Sequence, residues 1–466
     1  MAEYTAIRFP AGFYWGCATA SHQVEGNCTK NDWWAWEQEG GHIRDGGVSG
    51  IACDHYNRFE EDFALAEELG HNAHRLSIEW SRIEPQEGQW DMAEVAHYRK
   101  VLESLHRHGL TPFVTLHHFT NPLWFRDRGG WLNPQAPELL ARYAGFMAKE
   151  LGDLVPFWLT INEPMVTVTA GYVAGYFPPQ RKDMSEAMVV ARHMLLAHAR
   201  MYQAIKEATT HRPQVGVVLN MSYFQPKNPD SPGDVAMCDA ADSLINQYFL
   251  TAIDKGIFPP PVGQGEEAPG VKGAWDLIGL NYYSRNLVSE DMLTKGAFFG
   301  EPPPDAELSL LGWEVYPEGI YHLIKRLAQY APPVYITENG TSTQDEDARC
   351  RYVLRHLWQI HRAISEGADV RGYLHWSLTD NFEWAEGWQQ WFGMVAMEPA
   401  TLNRKPKPLA YLFRDIARAN AVTAEQFRKY LGSGARPFAS PLVLSLSKEE
   451  RPLMVGSSNH ERFDRP

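Results

Sequence analysis

The sequence predicts an α/β fold, a single (β/α)8 TIM barrel with elaborated loops at the C-terminal face of its strands. Two observations lead to this prediction. Eight short runs of apolar and β-branched residues have the length of buried strands, and longer segments with apolar residues near helical spacing separate them. A length of 466 residues would also allow about three domains of ~150 residues, but one barrel with long loops fits equally well.

The eight predicted strands alternate with helices along the chain, a pattern typical of a parallel sheet. They span residues 13–18, 74–78, 111–116, 157–161, 215–219, 277–280, 334–337 and 372–375. Helical spacing is clear at residues 56–69, 93–108 and 137–151. Two loops rich in proline and glycine, at residues 258–273 and 301–305, are expected at the C-terminal face of the barrel.

The barrel domain is expected to span residues 1–420, and the tail at residues 421–466 is predicted to have no independent function. The alternation of strands and helices stops after about Ala421. Residues 440–466 combine a short apolar run with charged and polar residues. Such a segment is expected to be loosely packed.

Charge and cysteine content narrow the class of protein. A formal net charge of −14 repels phosphate backbones, so nucleic acid is not expected as a partner. No run reaches the ~20 apolar residues of a membrane span, and residues 1–10 contain no secretion signal, so no membrane partner is expected. The five cysteines are scattered without metal spacing, which favours a reduced, cytoplasmic chain.

Two glutamates, each in a short signature at the end of a predicted strand, are the strongest functional signal. Glu163 lies in TINEP at residues 160–164, and Glu338 lies in YITENG at residues 335–340. Because the carboxyl ends of all strands meet at one face of a parallel barrel, both side chains are expected there. Two carboxyl groups at one face are what cleavage of a glycosidic bond requires.

A metal site and a cofactor are not expected. His117 and His118 are adjacent, but no His-Glu-x-x-His or other ligand spacing accompanies them. The sequence also contains no nucleotide-binding motif. The predicted chemistry therefore rests on side chains alone.

Four segments carry a resemblance to a known family. They are FYWGCATASHQVEG at residues 13–26, TINEP at 160–164, ITENG at 336–340 and WSLTDNFEW at 376–384. On these segments the chain resembles glycoside hydrolase family 1, enzymes of the β-glucosidase type, from about residue 9 to residue 418. The resemblance implies a retaining exo-β-glycosidase that removes terminal β-D-glucosyl residues, and also galactosyl or fucosyl residues, from β-glucosides and short β-linked oligosaccharides.

The resemblance also implies the roles of four residues. Glu338 would be the nucleophile and Glu163 the acid/base, with their carboxyl groups roughly 5–5.5 Å apart. Arg75 matches the family arginine that holds the nucleophile, and Tyr283 matches the tyrosine that hydrogen-bonds it. An arginine inside an apolar strand must be paired, which agrees with this assignment.

The remaining positions assigned by the resemblance concern the substrate. Those expected to contact the sugar are Gln23, His118, Asn162, Asn281, Trp376, Glu383 and Trp384. Those expected on the leaving-group side are Asn220 and Trp313. Two departures from the family pattern put the leaving-group preference in doubt: Phe119 where a tryptophan is usual, and Met165 where an aromatic residue often stacks on the leaving group.

Glu383 distinguishes between related enzyme types. A carboxylate facing the 4- and 6-hydroxyls accepts hydrogen bonds from a neutral sugar and repels a 6-phosphate. Phospho-β-glycosidases, which resemble the family, have a serine there, and myrosinases have a glutamine at the position of Glu163, so both are disfavoured. The alternatives are a transglycosylating enzyme, a 6-phospho-β-glucosidase and a non-catalytic carbohydrate-binding homologue. The preferred sugar and the oligomeric state stay open.

Overall fold

The computed structural model describes residues 6–292, 300–398 and 400–432, and its centre is a closed barrel of eight parallel strands. The strands are β1 Tyr14–Ala18, β2 Ala73–Ser77, β3 Thr111–His117, β4 Phe157–Asn162, β5 Gln214–Asn220, β6 Leu277–Asn281, β7 Val334–Glu338 and β8 Val370–Trp376. Neighbours in the chain are neighbours in the barrel, and β8 closes it by pairing with β1, with Gly372 opposite Tyr14. The predicted strands and barrel are confirmed.

Helices connect these strands and cover the outside of the barrel. Those of eight residues or more are Asp32–Glu39, His55–Glu68, Met92–Arg107, Ala136–Leu151, Met184–Ala208, Pro232–Asp242, Tyr248–Lys255, Pro317–Leu327, Glu346–Ser365, Pro408–Ala419 and Ala424–Leu431. Shorter α-helices lie at Ser21–Val24, Trp80–Ile83, Leu123–Asp127 and Pro164–Val168. The three helices predicted from spacing match His55–Glu68, Met92–Arg107 and Ala136–Leu151, and are confirmed.

Aspartate side chains fix where several of these helices begin. Asp91 accepts hydrogen bonds from the backbone N–H groups of Ala93 and Glu94 at the start of Met92–Arg107. Asp183 and Asp345 cap Met184–Ala208 and Glu346–Ser365 in the same way. Each cap satisfies backbone donors that have no partner within the helix, and contributes typically about 1 kcal/mol.

Near the amino ends of the strands, side chains fill the inside of the barrel. Phe113 and Phe157 stack with ring centroids 4.2 Å apart, and Tyr335 packs against both rings. A larger apolar core lies between the strands and the helices. This packing leaves the carboxyl ends of the strands as the place where polar side chains can converge.

Of the two loops expected at the C-terminal face, one lies there and one does not. Residues 301–305 follow the short strand Arg285–Val288 on the strand-to-helix side, as predicted. Residues 258–273 instead lead from the helix Tyr248–Lys255 into β6, so they lie at the amino ends of the strands and the prediction is wrong. The nearby Asp276 N–H donates to the carbonyl oxygen of Val215, near the start of β5.

Three pairs of short strands lie outside the barrel. Tyr223–Pro226 pairs with Arg285–Val288 in parallel, and Val395–Met397 pairs with Arg404–Pro406 in antiparallel orientation. Ala421–Thr423 pairs with Ala6–Arg8, so residues 421–432 contact the barrel domain. Residues 433–466 lie outside the described residues, and the division of the chain at residue 420 stays a prediction. No helix in the described ranges is long and apolar enough to cross a membrane.

Candidate active site

Glu163 stands where β4 turns sharply into a helix. β4 ends at Asn162, and Glu163 adopts a left-handed backbone conformation with φ 47° before the helix Pro164–Val168. Its N–H donates to the carbonyl oxygen of Val218 at 2.9 Å, which ties the turn to β5. A non-glycine residue in this conformation is uncommon, and such residues often occur at functional sites.

Glu338 is the last residue of β7, and the motif that follows it explains its position. Gly340 lies so close to β8 that a Cβ there would be 2.1 Å from the carbonyl oxygen of Trp376. Only glycine allows this approach. The chain therefore brings Glu338 and the end of β8 to the same face of the barrel.

A buried arginine and a tyrosine hold Glu338. The Arg75 guanidinium donates to Glu338 Oε1 at 2.5 Å, and the Tyr283 hydroxyl donates to Oε2 at 2.5 Å. Arg75 is fully buried and also donates to Asn162 Oδ1 at 2.7 Å and Thr115 Oγ1 at 3.1 Å. The charged form of Glu338 thus has a cation and a hydrogen-bond donor on its two oxygens.

Amide groups, not cations, hold Glu163. Asn281 Nδ2 donates to Glu163 Oε1 at 2.6 Å, and Asn220 Nδ2 donates to the same oxygen at 3.1 Å. Thr337 orients Asn281 by donating to its Oδ1 at 2.7 Å. Neutral donors stabilise a carboxylate less than a guanidinium does, so the two glutamates have unequal preferences for charge.

The pKa values of the two carboxyl groups follow from these surroundings. Burial, and then the nearby charge of Glu338, raises the pKa of Glu163 to about 8. Burial also raises the pKa of Glu338, but Arg75 and Tyr283 oppose that rise. A proton shared by such a coupled pair resides mainly on the partner without the cation. Glu163 is therefore the protonated carboxyl near neutral pH.

Most of the predicted site residues line one cavity of about 750 Å³ at the C-terminal face. The predicted residues that line it are His118, Asn162, Glu163, Asn220, Tyr283, Trp313, Glu338, Trp376, Glu383 and Trp384. Gln23, Arg75 and Asn281 lie behind this lining, where each donates a hydrogen bond to a glutamate in it. The structure thus brings all thirteen predicted residues together.

The end of the cavity near Gln23 and His118 offers free polar atoms. Gln23 Nε2 donates to the carbonyl oxygen of Phe382 at 2.8 Å, while its buried Oε1 has no partner among the described residues. His118 Nδ1 is likewise buried without a partner in the described ranges. Burial, and then Arg75, holds the pKa of His118 well below its usual range, so the ring is neutral. Unpaired buried groups of this kind are suited to a ligand with several hydroxyls.

Glu383 lies at this same end, and its charge differs from the expectation. Gln23 Nε2 lies 3.5 Å from Glu383 Oε2. Burial, and then the charge of Glu338, raises the pKa of Glu383 to about 8. An ionised carboxylate was expected here, but a group with this pKa is largely protonated at neutral pH, because three glutamates share a site with one buried cation.

Aromatic rings surround these polar groups. The His118 ring is stacked with Trp376 and with Trp384, at centroid distances of 6.2 and 6.0 Å. Phe119, a departure from the family pattern, packs edge-on against Trp384 at 5.1 Å. Phe119 therefore keeps an aromatic contact at this position, although it lacks the indole N–H that the usual tryptophan would supply.

Sequence reasoning missed several residues that line the cavity beyond Glu163. Tyr176 and Phe177 come from an irregular segment after the helix Pro164–Val168, and Phe224 comes from a short strand outside the barrel. Leu311 lies two residues before the predicted Trp313. None of them lies in a periodic pattern or a motif, so only the length of the strand-to-helix connections could have indicated them.

Metal ligation has no support in the described parts of the chain. Within residues 6–292, 300–398 and 400–432, no group of three or more His, Cys, Asp and Glu side chains could hold a metal ion.

Comparisons with known proteins agree with this geometry. The family model described as "Glycosyl hydrolase family 1" matches residues 5–422. Beta-glucosidase A of Thermotoga maritima is 34% identical over 445 residues, which cover 89% of this chain and 99% of that protein. A beta-galactosidase of Pyrococcus woesei is also 34% identical and covers 89% of this chain and 98% of its own length.

A solved structure extends the agreement to three dimensions. The beta-glycosidase from Pyrococcus horikoshii has a TM-score of 0.83 and 37% sequence identity to this chain. The match covers 92% of this chain and 98% of that protein. The family match at residues 5–422 spans all eight barrel strands and the positions of both glutamates.

Proposed function

The chain belongs to glycosyl hydrolase family 1, and we propose that it is a retaining exo-β-glycosidase that hydrolyses terminal β-D-glucosyl residues of β-glucosides and short β-linked oligosaccharides. One observation carries the proposal. Two buried glutamates share a cavity, one held by a cation and a hydroxyl, the other by amides alone. Retaining hydrolysis requires one ionised and one protonated carboxyl group in this way.

In the first step, Glu338 acts as the nucleophile and Glu163 as the acid. The Glu338 carboxylate attacks the anomeric carbon while Glu163 gives its proton to the glycosidic oxygen, and the alcohol departs. The product is a glycosyl-enzyme with inverted configuration. Arg75 and Tyr283 support this role because they stabilise the ionised nucleophile before attack.

In the second step, Glu163 acts as the base. Its carboxylate takes a proton from a water molecule, which attacks the anomeric carbon and releases Glu338. Two inversions give net retention of the β configuration. The pKa of about 8 suits this exchange, because Glu163 must hold a proton in one step and accept one in the next.

We further propose that Gln23, His118, Asn162, Asn281, Glu383 and the two tryptophans Trp376 and Trp384 form the sugar-binding end. The unpaired Gln23 Oε1 and His118 Nδ1 support this assignment. Asn220 and Trp313, which both line the cavity, are proposed on the leaving-group side. Galactosides are proposed as further substrates, since a relative of equal identity is named a beta-galactosidase.

A cytoplasmic location is also part of the proposal. It is supported by the five cysteines, all of which are unpaired and buried. Unpaired cysteines are typical of a reducing compartment.

The proposed reaction is tested by following hydrolysis of p-nitrophenyl β-D-glucoside with ¹H NMR. The first product is expected to be β-glucose, which converts to the α form only by later mutarotation. α-Glucose as the first product would contradict retention, and absence of hydrolysis would contradict the proposed function itself.

A further inference from the structure

The side-chain amide of Asn281 could face its neighbours in either of two orientations, because its oxygen and its nitrogen have nearly the same size. Asn281 is fully buried at the end of β6. In one orientation its Nδ2 donates to Glu163 and to Asn162, and in the other its oxygen would face both of these acceptors. Asn281 stabilises the charge of Glu163 only in the first orientation.

Arg75 sets the direction of the hydrogen bonds in this group. A guanidinium only donates, so Asn162 must turn its Oδ1 toward Arg75, at 2.7 Å. That oxygen also accepts from Asn281 Nδ2 at 3.2 Å, and Asn162 Nδ2 points away to His118 Nε2 at 3.2 Å. The Oδ1 of Asn281 is therefore turned to the other side, toward β7.

Thr337 on β7 supplies the donor that this oxygen requires. Its Oγ1 lies 2.7 Å from Asn281 Oδ1, and both residues are fully buried. A buried amide oxygen that loses its donor is costly. Without the Thr337 hydroxyl, the Asn281 amide is therefore expected to loosen or to turn over, and its bond to Glu163 to weaken.

The barrel leaves room for Thr337 at this point. Gly279 lies two residues before Asn281 on β6. A Cβ at Gly279 would stand 3.0 Å from Thr337 Oγ1 and 2.9 Å from a methyl carbon of Val218, closer than ordinary contact between such atoms. The lack of a side chain at Gly279 thus allows the Thr337 hydroxyl to lie against Asn281.

We propose that Thr337 is a positioning residue for the acid Glu163 and acts on it through Asn281. The proposal rests on the proposed function. Thr337 immediately precedes Glu338, so one strand carries both the nucleophile and the hydroxyl that fixes the amide on the acid. The hydroxyl does not react. It keeps the donor side of Asn281 on Glu163 while that carboxyl gives up and regains its proton.

A pH profile reports this role, because Asn281 favours the charged form of Glu163. Burial, and then the charge of Glu338, raises the pKa of Glu163, and the amides of Asn281 and Asn220 oppose that rise. Loss of the Asn281 donor should therefore raise the pKa of Glu163 further. The substitution Thr337→Val leaves in place the other charged or titratable groups that interact with Glu163, which are Arg75, Tyr176, Tyr283 and Glu383.

The first test measures kcat/KM for p-nitrophenyl β-D-glucoside as a function of pH. The basic limb of this profile follows the proton of Glu163. In Thr337→Val, where a methyl group replaces the hydroxyl, we expect the basic limb about half a pH unit or more above that of the parent. Thr337→Ser keeps a hydroxyl and should return the limb to the parent position. A limb of Thr337→Val at or below the parent position would overturn the proposal.

Thr160→Val is the matched control for the loss of a buried hydroxyl. Thr160 is fully buried on β4, and its Oγ1 contacts His198 Nδ1 at 2.7 Å and donates to the Gly216 carbonyl oxygen at 3.2 Å. This variant should have a lower melting temperature and an unchanged basic limb. An equal shift of the limb in Thr160→Val would attribute the effect to general loosening of the barrel, and would refute the role of Thr337.

A double variant shows whether Thr337 acts through Asn281. Asn281→Ala alone should raise the basic limb, and Thr337→Val added to it should cause no further rise, because two residues that act through one contact are not additive. A further rise as large as the one caused by Thr337→Val in the parent would contradict this path.

The outcomes separate this inference from the proposed function. If the parent hydrolyses the glucoside and Thr337→Val leaves the basic limb in place, the function stands and only the inference fails. If the parent hydrolyses no glucoside, the proposed function fails first. Because the pH of a limb does not depend on the amount of active enzyme, partial misfolding of a variant does not change it.

Discussion

Glu163 and Glu338 stand at the ends of two strands of one barrel, yet different groups hold their carboxyl oxygens. Arg75 and Tyr283 each reach one oxygen of Glu338, whereas Asn220 and Asn281 both reach the same oxygen of Glu163. Both carboxyl groups are buried. Burial alone would raise both pKa values, and the Arg75 cation together with the Tyr283 hydroxyl makes the two groups unequal.

The difference shows how one site can hold an acid and a nucleophile of the same residue type. Burial, and then the charge of ionised Glu338, raises the pKa of Glu163 to about 8, so the nucleophile helps to keep the acid protonated. Formation of the glycosyl-enzyme removes that charge. The pKa of Glu163 is then expected to fall, which suits its second role as base.

The largest loss of activity is expected when the Glu338 side chain is removed. Glu338→Ala should lower kcat for β-glucosides by at least about four orders of magnitude, because no covalent intermediate can form. Steady-state assay with p-nitrophenyl β-D-glucoside measures this, and a melting curve shows whether the variant is folded. A loss below about tenfold would contradict the nucleophile assignment.

Removing Glu163 should give a loss that depends on the leaving group. Glu163→Ala is expected to slow hydrolysis of alkyl glucosides by about 10²–10⁴-fold, because proton donation is lost. For 2,4-dinitrophenyl β-D-glucoside, whose leaving group needs no proton, the first step should be much less affected. Pre-steady-state kinetics of both substrate types checks this, and equal losses for both would contradict the acid assignment.

Glu383 sharpens the comparison because it is a third glutamate of the cavity, which we propose binds the sugar and does not react. Glu383→Ser should lower kcat/KM for β-glucosides, since hydroxyls at positions 4 and 6 lose a partner in a closed site. At about 1–3 kcal/mol per unpaired buried group, the loss is roughly fivefold to over a hundredfold. A 6-deoxy substrate should lose less, and equal losses for both substrates would rule out direct contact with the 6-hydroxyl.

A smaller effect is expected on stability. The pKa of Glu163 rises from 4.5 to about 8 on folding, so between these pH values the carboxyl is ionised only in the unfolded state. Stability from this group is therefore present below about pH 4.5 and lost as the pH rises to about 8. Glu163→Gln removes that loss, and should be more stable than the parent at pH 8 by at least about 1 kcal/mol.

Urea unfolding of parent and Glu163→Gln at pH 5 and pH 8 measures this difference. The exposed Glu425 provides a matched control, and Glu425→Gln should change stability equally at both pH values. A stability gain in Glu163→Gln that is the same at pH 5 and pH 8 would contradict the raised pKa.

The sequence predicts the barrel well because buried parallel strands are local apolar runs, such as Phe157–Asn162 and Val334–Glu338. Most of the residues that we propose for sugar binding were also named from the sequence, because they stand in motifs beside those strands. The contact of Gln23 with Glu383 joins residues far apart in the chain and was not predicted; the family resemblance named both residues only as sugar contacts.

Two features could not be predicted, for different physical reasons. A loop lies at the amino ends of the strands if it follows a helix, and at their carboxyl ends if it follows a strand. The proline and glycine content of residues 258–273 does not show which of the two applies. Tyr176 and Phe224 come together only through the fold, from segments without periodicity. The part of the cavity lining that these two residues form is therefore known from the structure alone.

The division of roles between the two glutamates is tested most directly by the products that azide forms with the two alanine variants. In Glu338→Ala, azide takes the place of the missing carboxylate and attacks the substrate, so α-glucosyl azide is expected. In Glu163→Ala, azide replaces the water that attacks the glycosyl-enzyme, so β-glucosyl azide is expected. NMR of the two products decides: α from Glu338→Ala with β from Glu163→Ala supports the account, and the reverse pairing contradicts it.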